Sequence, residues 1–203
     1  MTEAEWLSCE DPRQGFAHVQ TCATKRQSRL LAFACCRGAQ CYPQLGERSR
    51  RVIALMELLA DGLVTEDDLR ATTLPPVMNF GCADGDFNLA DSFLEPDLFQ
   101  VVWASVTLGN GTSSCSRAQQ AHFLRDIFGN PFRPAIFAPE WRTDNALALA
   151  RQMYESRDFS AMPILADALQ DAGCEIDDIM THCRGPGPHV RGCWVVDAVL
   201  NKE

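Results

Sequence analysis

Apolar side chains recur at helical spacing along most of this chain. Val52, Leu55, Met56 and Leu59 follow the i, i+3, i+4, i+7 pattern of an amphipathic helix. An Asp-Gly pair follows them directly, and glycine at that place is typical of a helix end. The same spacing, between readable start and stop signals, predicts further helices. They cover residues 28–42, 66–71, 117–128, 145–156, 161–172, 177–183 and 190–200, after short helices near Trp6 and Pro12.

Polar residues mark several of the predicted helix starts. Ser116 and Gln119 form a capping box, and Asp144 and Ser160 occupy N-cap positions of the two helices that follow. Because nearly all readable elements are helices, we predict an all-α fold. We expect an irregular multi-helix bundle of about eight to nine helices.

Residues 73–115 lack this regularity. They contain two adjacent prolines and several glycines, which indicate a variable loop or insert. Within them, residues 96–108 could form a helix or a strand. Their β-branched content favours a strand, whereas their length and helical neighbours favour a helix, which we prefer. The acidic stretch from Asp84 to Glu95 has part of a calcium-loop pattern, but it lacks the glycine at the sixth position, so an acidic surface loop is favoured.

A single domain, residues 1–203, is expected from this organisation. The N-terminal helices lie in residues 1–72 and the C-terminal helical unit in 116–203, and we expect the two to share one core. A chain of 203 residues is long enough for such a core.

No apolar run approaches the ~18 residues that would predict a membrane span. The chain starts with an acidic segment around Trp6, without the basic and apolar regions of a signal peptide. We therefore expect a cytoplasmic protein with no membrane partner. Its ten cysteines are then expected to be reduced thiols, most of them small core residues.

The net charge is −9, which makes nucleic acid an unlikely partner because its binding begins with the neutralisation of phosphates. The charge is nevertheless uneven, since residues 25–51 contain seven basic side chains and one acid. One interpretation is a solvated surface, and the other is a docking face for an acidic partner or RNA, with another protein as the preferred partner. The candidate interaction residues are Arg26, Arg29, Arg37, Arg48, Arg50 and Arg51.

Four candidate metal ligands lie within twelve residues around a Gly-Pro-Gly-Pro turn, namely His182, Cys183, His189 and Cys193. Zinc takes four such ligands in tetrahedral geometry. The spacing differs from a paired Cys-x2-Cys site, and adjacent His182 and Cys183 point about 100° apart on a helix. The alternative is that the cysteines pack in the core while the histidines cap turns.

A thiol enzyme requires a cysteine, a base and a group that orients the base. Cys193, His189 and Asp197 supply these residue types, and spacing of four would bring them together on one helix. Pro188 and Gly192 leave the start of that helix open, so a buried cysteine near a capping histidine is the alternative.

Several segments resemble a group of bacterial helical proteins for which no activity is established. They are Leu124-Arg-Asp-Ile-Phe-Gly-Asn-Pro-Phe-Arg-Pro134, Ile164-Leu-Ala-Asp-Ala-Leu-Gln-Asp-Ala-Gly-Cys174, His182-Cys-Arg184, His189-Val-Arg-Gly-Cys-Trp-Val-Val-Asp197 and the N-terminal stretches 1–7 and 29–37. The resemblance implies a helical accessory domain and brings no activity with it.

The sequence therefore favours a non-enzymatic helical interaction or regulatory module with no cofactor. A structural zinc-binding helical domain is the first alternative, and a cysteine-dependent enzyme is the second.

Overall fold

The computed structural model describes residues 1–38, 47–73 and 115–202, and these contain ten α-helices, one 3₁₀-helix and no strand. The all-α prediction is confirmed, with slightly more helices than expected. The helices are α1 (Glu3–Ser8), α2 (Pro12–Val19), α3 (Lys25–Gly38), α4 (Glu47–Ala60), α5 (Glu66–Thr73), α6 (Arg117–Phe128), α7 (Asp144–Ser156), α8 (Met162–Asp171), α9 (Asp177–Arg184) and α10 (Trp194–Leu200), with the 3₁₀-helix at Pro139–Trp141.

Three predictions concern segments outside the described residues. They are the loop or insert at 73–115 (apart from its two end residues), the helix at 96–108 and the acidic loop from Asp84 to Glu95. The chain divides into two compact units, Cys9–Leu124 and Met1–Ser8 together with Arg125–Glu203. The expectation of one shared core stays a prediction.

In the unit Cys9–Leu124, α3 packs against α4, and α4 packs against α5. Large apolar side chains from these three helices are fully buried, including Leu30, Phe33, Ile53, Met56 and Leu69. Helix α3 begins earlier than predicted because Thr24 and Gln27 form a capping box, each accepting the other's backbone N–H at 3.1 Å.

The second unit is built around α7, α8, α9 and α10. Its core contains Met153, Leu165, Leu169, Ile179 and Val196, all shielded from solvent.

Helix α1 contributes to the second unit through one buried tryptophan. The indole nitrogen of Trp6 donates a hydrogen bond to the carbonyl of Gly129 at 3.1 Å, and the ring is 1% exposed. Both residues thus anchor the turn that follows α6.

Three further helix starts differ from the prediction. Thr143, not Asp144, is the N-cap of α7, because its hydroxyl accepts the Ala146 N–H. The Ser160 amide donates to Asp158, and α8 starts only at Met162. The last helix starts at Trp194 because the chain from Val190 to Cys193 forms a turn with Gly192 at φ +96°.

Within the residues that the structure describes, no helix is long and apolar enough to cross a membrane.

Candidate metal centre

Four side chains from separate segments meet in the unit Arg125–Glu203. Asp126 lies on α6, His182 on α9, His189 follows the Gly-Pro-Gly-Pro turn, and Cys193 directly precedes α10. One ligand atom from each lies within 4.8 Å of all the others. Because α9 is short and a tight turn follows it, His182, His189 and Cys193 come close together although they lie on consecutive segments.

Asp126 is at the centre of the cluster. Its Oδ1 accepts a hydrogen bond from His189 Nδ1 at 2.6 Å and lies 3.2 Å from His182 Nε2. Its other oxygen accepts the backbone N–H of Val190 at 2.8 Å. The carboxylate therefore fixes α6, α9 and the turn to one another, and it is only 2% exposed.

Cys193 completes the group through its contact with His182, whose Nε2 lies 3.1 Å from the Cys193 sulfur. The thiol is fully buried. The imidazoles of His182 and His189 lie edge to face with centroids 4.8 Å apart. Two nitrogens, one oxygen and one sulfur thus face a common point.

Hydrogen bonds and charges oppose the effect of burial on the pKa of Asp126, whereas the Asp126 charge adds to the effect of burial on the pKa of Cys193. Burial alone would raise the pKa of Asp126, but hydrogen bonds from His182 and His189 outweigh it and lower that pKa. For Cys193, burial and the nearby Asp126 charge raise the pKa well above its usual value, although the amides of Val196 and Val195 act in the opposite direction. Without a cation, Cys193 is therefore a neutral thiol at neutral pH.

Packing around the centre holds His182 in place. The Trp194 ring lies 5.2 Å from the His182 ring, centroid to centroid. On its other flank Trp194 contacts Gly129, where a Cβ would come within 3.2 Å of the indole. Glycine at the turn after α6 therefore leaves room for the indole, which lies next to the His182 imidazole.

One hydrogen-bonding atom of the cluster is not satisfied. His189 Nε2 is buried and has no hydrogen-bond partner among the residues that the structure describes. A cavity of about 360 Å³ borders the same residue and is also lined by Phe159, Met162 and Pro188. Of the four clustered residues, only His189 lines this cavity.

Of the four metal ligands predicted from the sequence, the structure brings together His182, His189 and Cys193. Cys183 is not part of the group, since it packs in the apolar core of its unit, where burial raises its pKa to about 12. Adjacent helical residues point in different directions, so His182 faces the centre while Cys183 faces the core. Sequence reasoning missed Asp126. The available signal was an acidic residue three positions after Phe123, which places the two on the same face of α6, and both are buried.

The thiol-enzyme arrangement predicted from the sequence has different neighbours in the structure. The carboxylate grouped with Cys193 and His189 is Asp126, not Asp197, and the nearest imidazole nitrogen to the sulfur belongs to His182. One nitrogen of His182 thus contacts both the sulfur and Asp126, and the cysteine-dependent enzyme stays a prediction.

Three of the six candidate interaction arginines pair with acids inside the unit Cys9–Leu124. Arg26 contacts Asp61 at 3.1 Å and Arg29 contacts Glu66 at 3.4 Å. Arg37 makes a two-pronged pair with Glu57 on α4, one contact being 3.0 Å.

The other three candidates are described to different extents. Arg50 and Arg51 are exposed, and the side chain of Arg48 lies outside the described residues. A docking face for another protein stays a prediction. Among the candidates whose side chains the structure describes, Arg50 and Arg51 are the exposed ones.

Comparisons of the chain with protein-family models, with curated proteins and with solved structures find no match. The resemblance to bacterial helical proteins stays an expectation, and the function is argued from the cluster itself.

Proposed function

We propose that this protein is a zinc-binding helical domain in which Asp126, His182, His189 and Cys193 hold one structural metal ion. The observation that carries the proposal is the convergence of four ligand atoms within 4.8 Å in a buried place.

The donor set favours zinc among the common metal ions. Calcium and magnesium prefer oxygen donors, whereas imidazole and thiolate suit zinc and its transition-metal neighbours. With bonds of about 2.0–2.3 Å, tetrahedral geometry places neighbouring ligand atoms about 3.3–3.8 Å apart. The distances of 3.1 and 3.2 Å at His182 are close to that spacing. The extremes, 2.6 and 4.8 Å, require shifts of roughly 1 Å or less.

A structural role follows from the number of protein donors and from their burial. Structural zinc sites use four protein ligands, whereas catalytic sites leave one position open. Here four side chains are available, and both Asp126 and Cys193 are nearly inaccessible to solvent. An ion bound by them would cross-link α6, α9, the turn and α10, two of which are helices of only eight and seven residues.

Protons and metal compete for these four side chains. In the metal-free centre, His189 donates to Asp126 and Cys193 keeps its proton. A divalent cation deprotonates a coordinating thiol and takes the lone pairs of the imidazoles. Zinc binding therefore releases protons, and the buried Nε2 of His189 becomes an N–H that can face the adjacent cavity.

Zinc binding to the purified full-length chain tests the proposal. The protein is first stripped with a chelator and then titrated with zinc against a competing chromogenic chelator. We expect one ion per chain and a loss of affinity of at least about tenfold in His182→Ala, His189→Ala and Cys193→Ser.

Cys183→Ala is the matched control, because this buried thiol is adjacent to His182 and outside the cluster. The control should bind zinc like the unaltered protein. Equal zinc affinity in Cys193→Ser and Cys183→Ala, or no zinc binding at all, would refute the proposal.

A further inference from the structure

The unit Cys9–Leu124 contains a pair of neighbouring cysteines, neither of which belongs to the candidate metal centre. Cys35 lies on α3, and Cys115 lies just before α6. Both are buried, at 3% and 5% exposure, and their thiols are hydrogen-bonded to each other. The pair joins two parts of the chain that are eighty residues apart in sequence.

The position of the Cys115 sulfur is also fixed by the last turn of α3. A Cβ built on Gly38 would lie 3.2 Å from that sulfur. Cys35 precedes Gly38 by three residues, so both positions lie on one face of α3. The absence of a side chain at Gly38 therefore makes room for Cys115 beside Cys35.

The Cys115 backbone is held in place from the other side. Its carbonyl oxygen accepts a hydrogen bond from Gln120 Nε2 at 2.9 Å, and Gln120 is itself buried. These two contacts hold Cys115 beside the last turn of α3, the turn that follows Cys35.

The two thiols differ in their ease of ionisation. The hydrogen bond from Cys35 lowers the pKa of Cys115, whereas the same bond, together with burial, raises the pKa of Cys35 well above its usual value.

We propose that Cys35 and Cys115 are a redox-active dithiol that a hydroperoxide converts to a disulfide. The Cys115 thiolate attacks the peroxide oxygen, the O–O bond breaks, and a sulfenic acid forms while one water leaves. The Cys35 sulfur then attacks the sulfenic sulfur and expels its hydroxyl as a second water. Overall, two thiols and one hydrogen peroxide give one disulfide and two waters, and a dithiol reductant reverses the change.

Treatment of the native full-length protein with hydrogen peroxide, followed by blocking of free thiols in denaturant and peptide mapping, tests this inference. We expect loss of two of the ten thiols, a peptide in which Cys35 is linked to Cys115, and recovery of both thiols on reduction with dithiothreitol. Because the linked peptide is identified directly, the result does not depend on whether the metal centre is occupied.

Variants separate the proposed dithiol from general oxidation of buried cysteines. Cys115→Ala should slow the oxidation of Cys35 by at least about tenfold, and Cys35→Ala should leave Cys115 as a trapped sulfenic acid. Cys36→Ala, which alters the neighbouring buried thiol, should keep the linked peptide.

Two results would overturn the inference. One is an unaltered protein whose Cys35 and Cys115 stay free while other thiols oxidise. The other is a disulfide that joins either residue to a different cysteine. Both are read from the unaltered protein, so they remain decisive even if an alanine variant fails to fold.

Discussion

Asp126 is the residue on which the electrostatics of the candidate metal centre depend. It faces both imidazoles and one backbone amide while almost fully buried. Removing the charge of such a buried group lowers the free energy of unfolding, because its partners stay buried and lose the charge that they were paired with.

Asp126→Asn should weaken both zinc binding and the metal-free fold. The amide keeps one oxygen for the Val190 N–H but loses the charge that faces His182 and His189. We expect zinc affinity to fall at least about tenfold and the free energy of unfolding of the stripped protein to fall by about 1–3 kcal/mol. Competition titration and urea denaturation measure the two effects. Unchanged values for both would show that the charge of Asp126 contributes neither to zinc binding nor to the stability of the fold.

Acid should destabilise the stripped protein through the same residue. The folded pKa of Asp126 lies below its ordinary value, so the unfolded chain binds the proton more readily. The stability from Asp126 is therefore complete above about pH 3.9 and is lost as the pH falls through the lowered pKa.

Urea midpoints of the stripped protein, measured from about pH 6 to about pH 2, reveal this contribution. Asp126→Asn should show a shallower loss of stability below about pH 4 than the unaltered protein. Identical acid limbs for the two proteins would contradict the assigned direction of the pKa shift.

The sequence indicated three of the four clustered residues because they share one short segment around a rigid turn. It did not indicate Asp126, since only the fold brings α6 to that turn. Cys183 was included because residue type and spacing alone do not say which way a side chain faces on α9.

At the scale of the elements, two helices are each followed by a glycine with a positive φ, and the two glycines can be compared. Gly129 ends α6 at φ +64°, and Gly173 follows the end of α8 at φ +88°. Both values disfavour side chains, because a Cβ there approaches the following carbonyl oxygen. Only Gly129 also has a neighbour in the way, namely the Trp194 indole.

Gly173→Ala should cost about 1–2 kcal/mol of stability through backbone strain alone, because nothing lies within 4 Å of the added Cβ. Gly129→Ala should cost about 1–3 kcal/mol more, since the methyl group displaces Trp194. Because Trp194 packs on His182, only Gly129→Ala should also weaken zinc binding. Equal effects of the two substitutions on zinc affinity would contradict a supporting role for Trp194.

Helix spacing and stop signals predicted most elements well, whereas starts were less certain. Short polar side chains compete for the same cap, so Thr143 replaced Asp144 with a shift of one residue. At the last helix, the glycine at 192 adopts a positive φ and turns the chain before the helix can begin. That turn places Cys193 at the centre rather than along a helix face.

At the scale of the whole molecule, the zinc proposal concerns one of the two compact units. A ligand that binds only the folded state stabilises it by about 2.7 kcal/mol at a free concentration one hundred times its Kd. All four proposed ligands belong to the unit that contains Arg125–Glu203.

Chelation should therefore affect the two units differently. Backbone amides of α9 and α10 should exchange with deuterium faster after zinc is removed, because the cross-links among their ends are lost. Amides of α3 and α4 should change much less. Hydrogen exchange followed by mass spectrometry measures both sets in one sample, and equal acceleration throughout would contradict a local structural role.

The absorption spectrum of the protein loaded with cobalt(II) in place of zinc tests the central claim most directly. Tetrahedral coordination with one thiolate predicts intense visible d–d bands and a sulfur-to-metal charge-transfer band in the near ultraviolet. The charge-transfer band should vanish in Cys193→Ser and persist in Cys183→Ala. Weak bands typical of octahedral cobalt, or a charge-transfer band that survives in Cys193→Ser, would contradict the proposed centre.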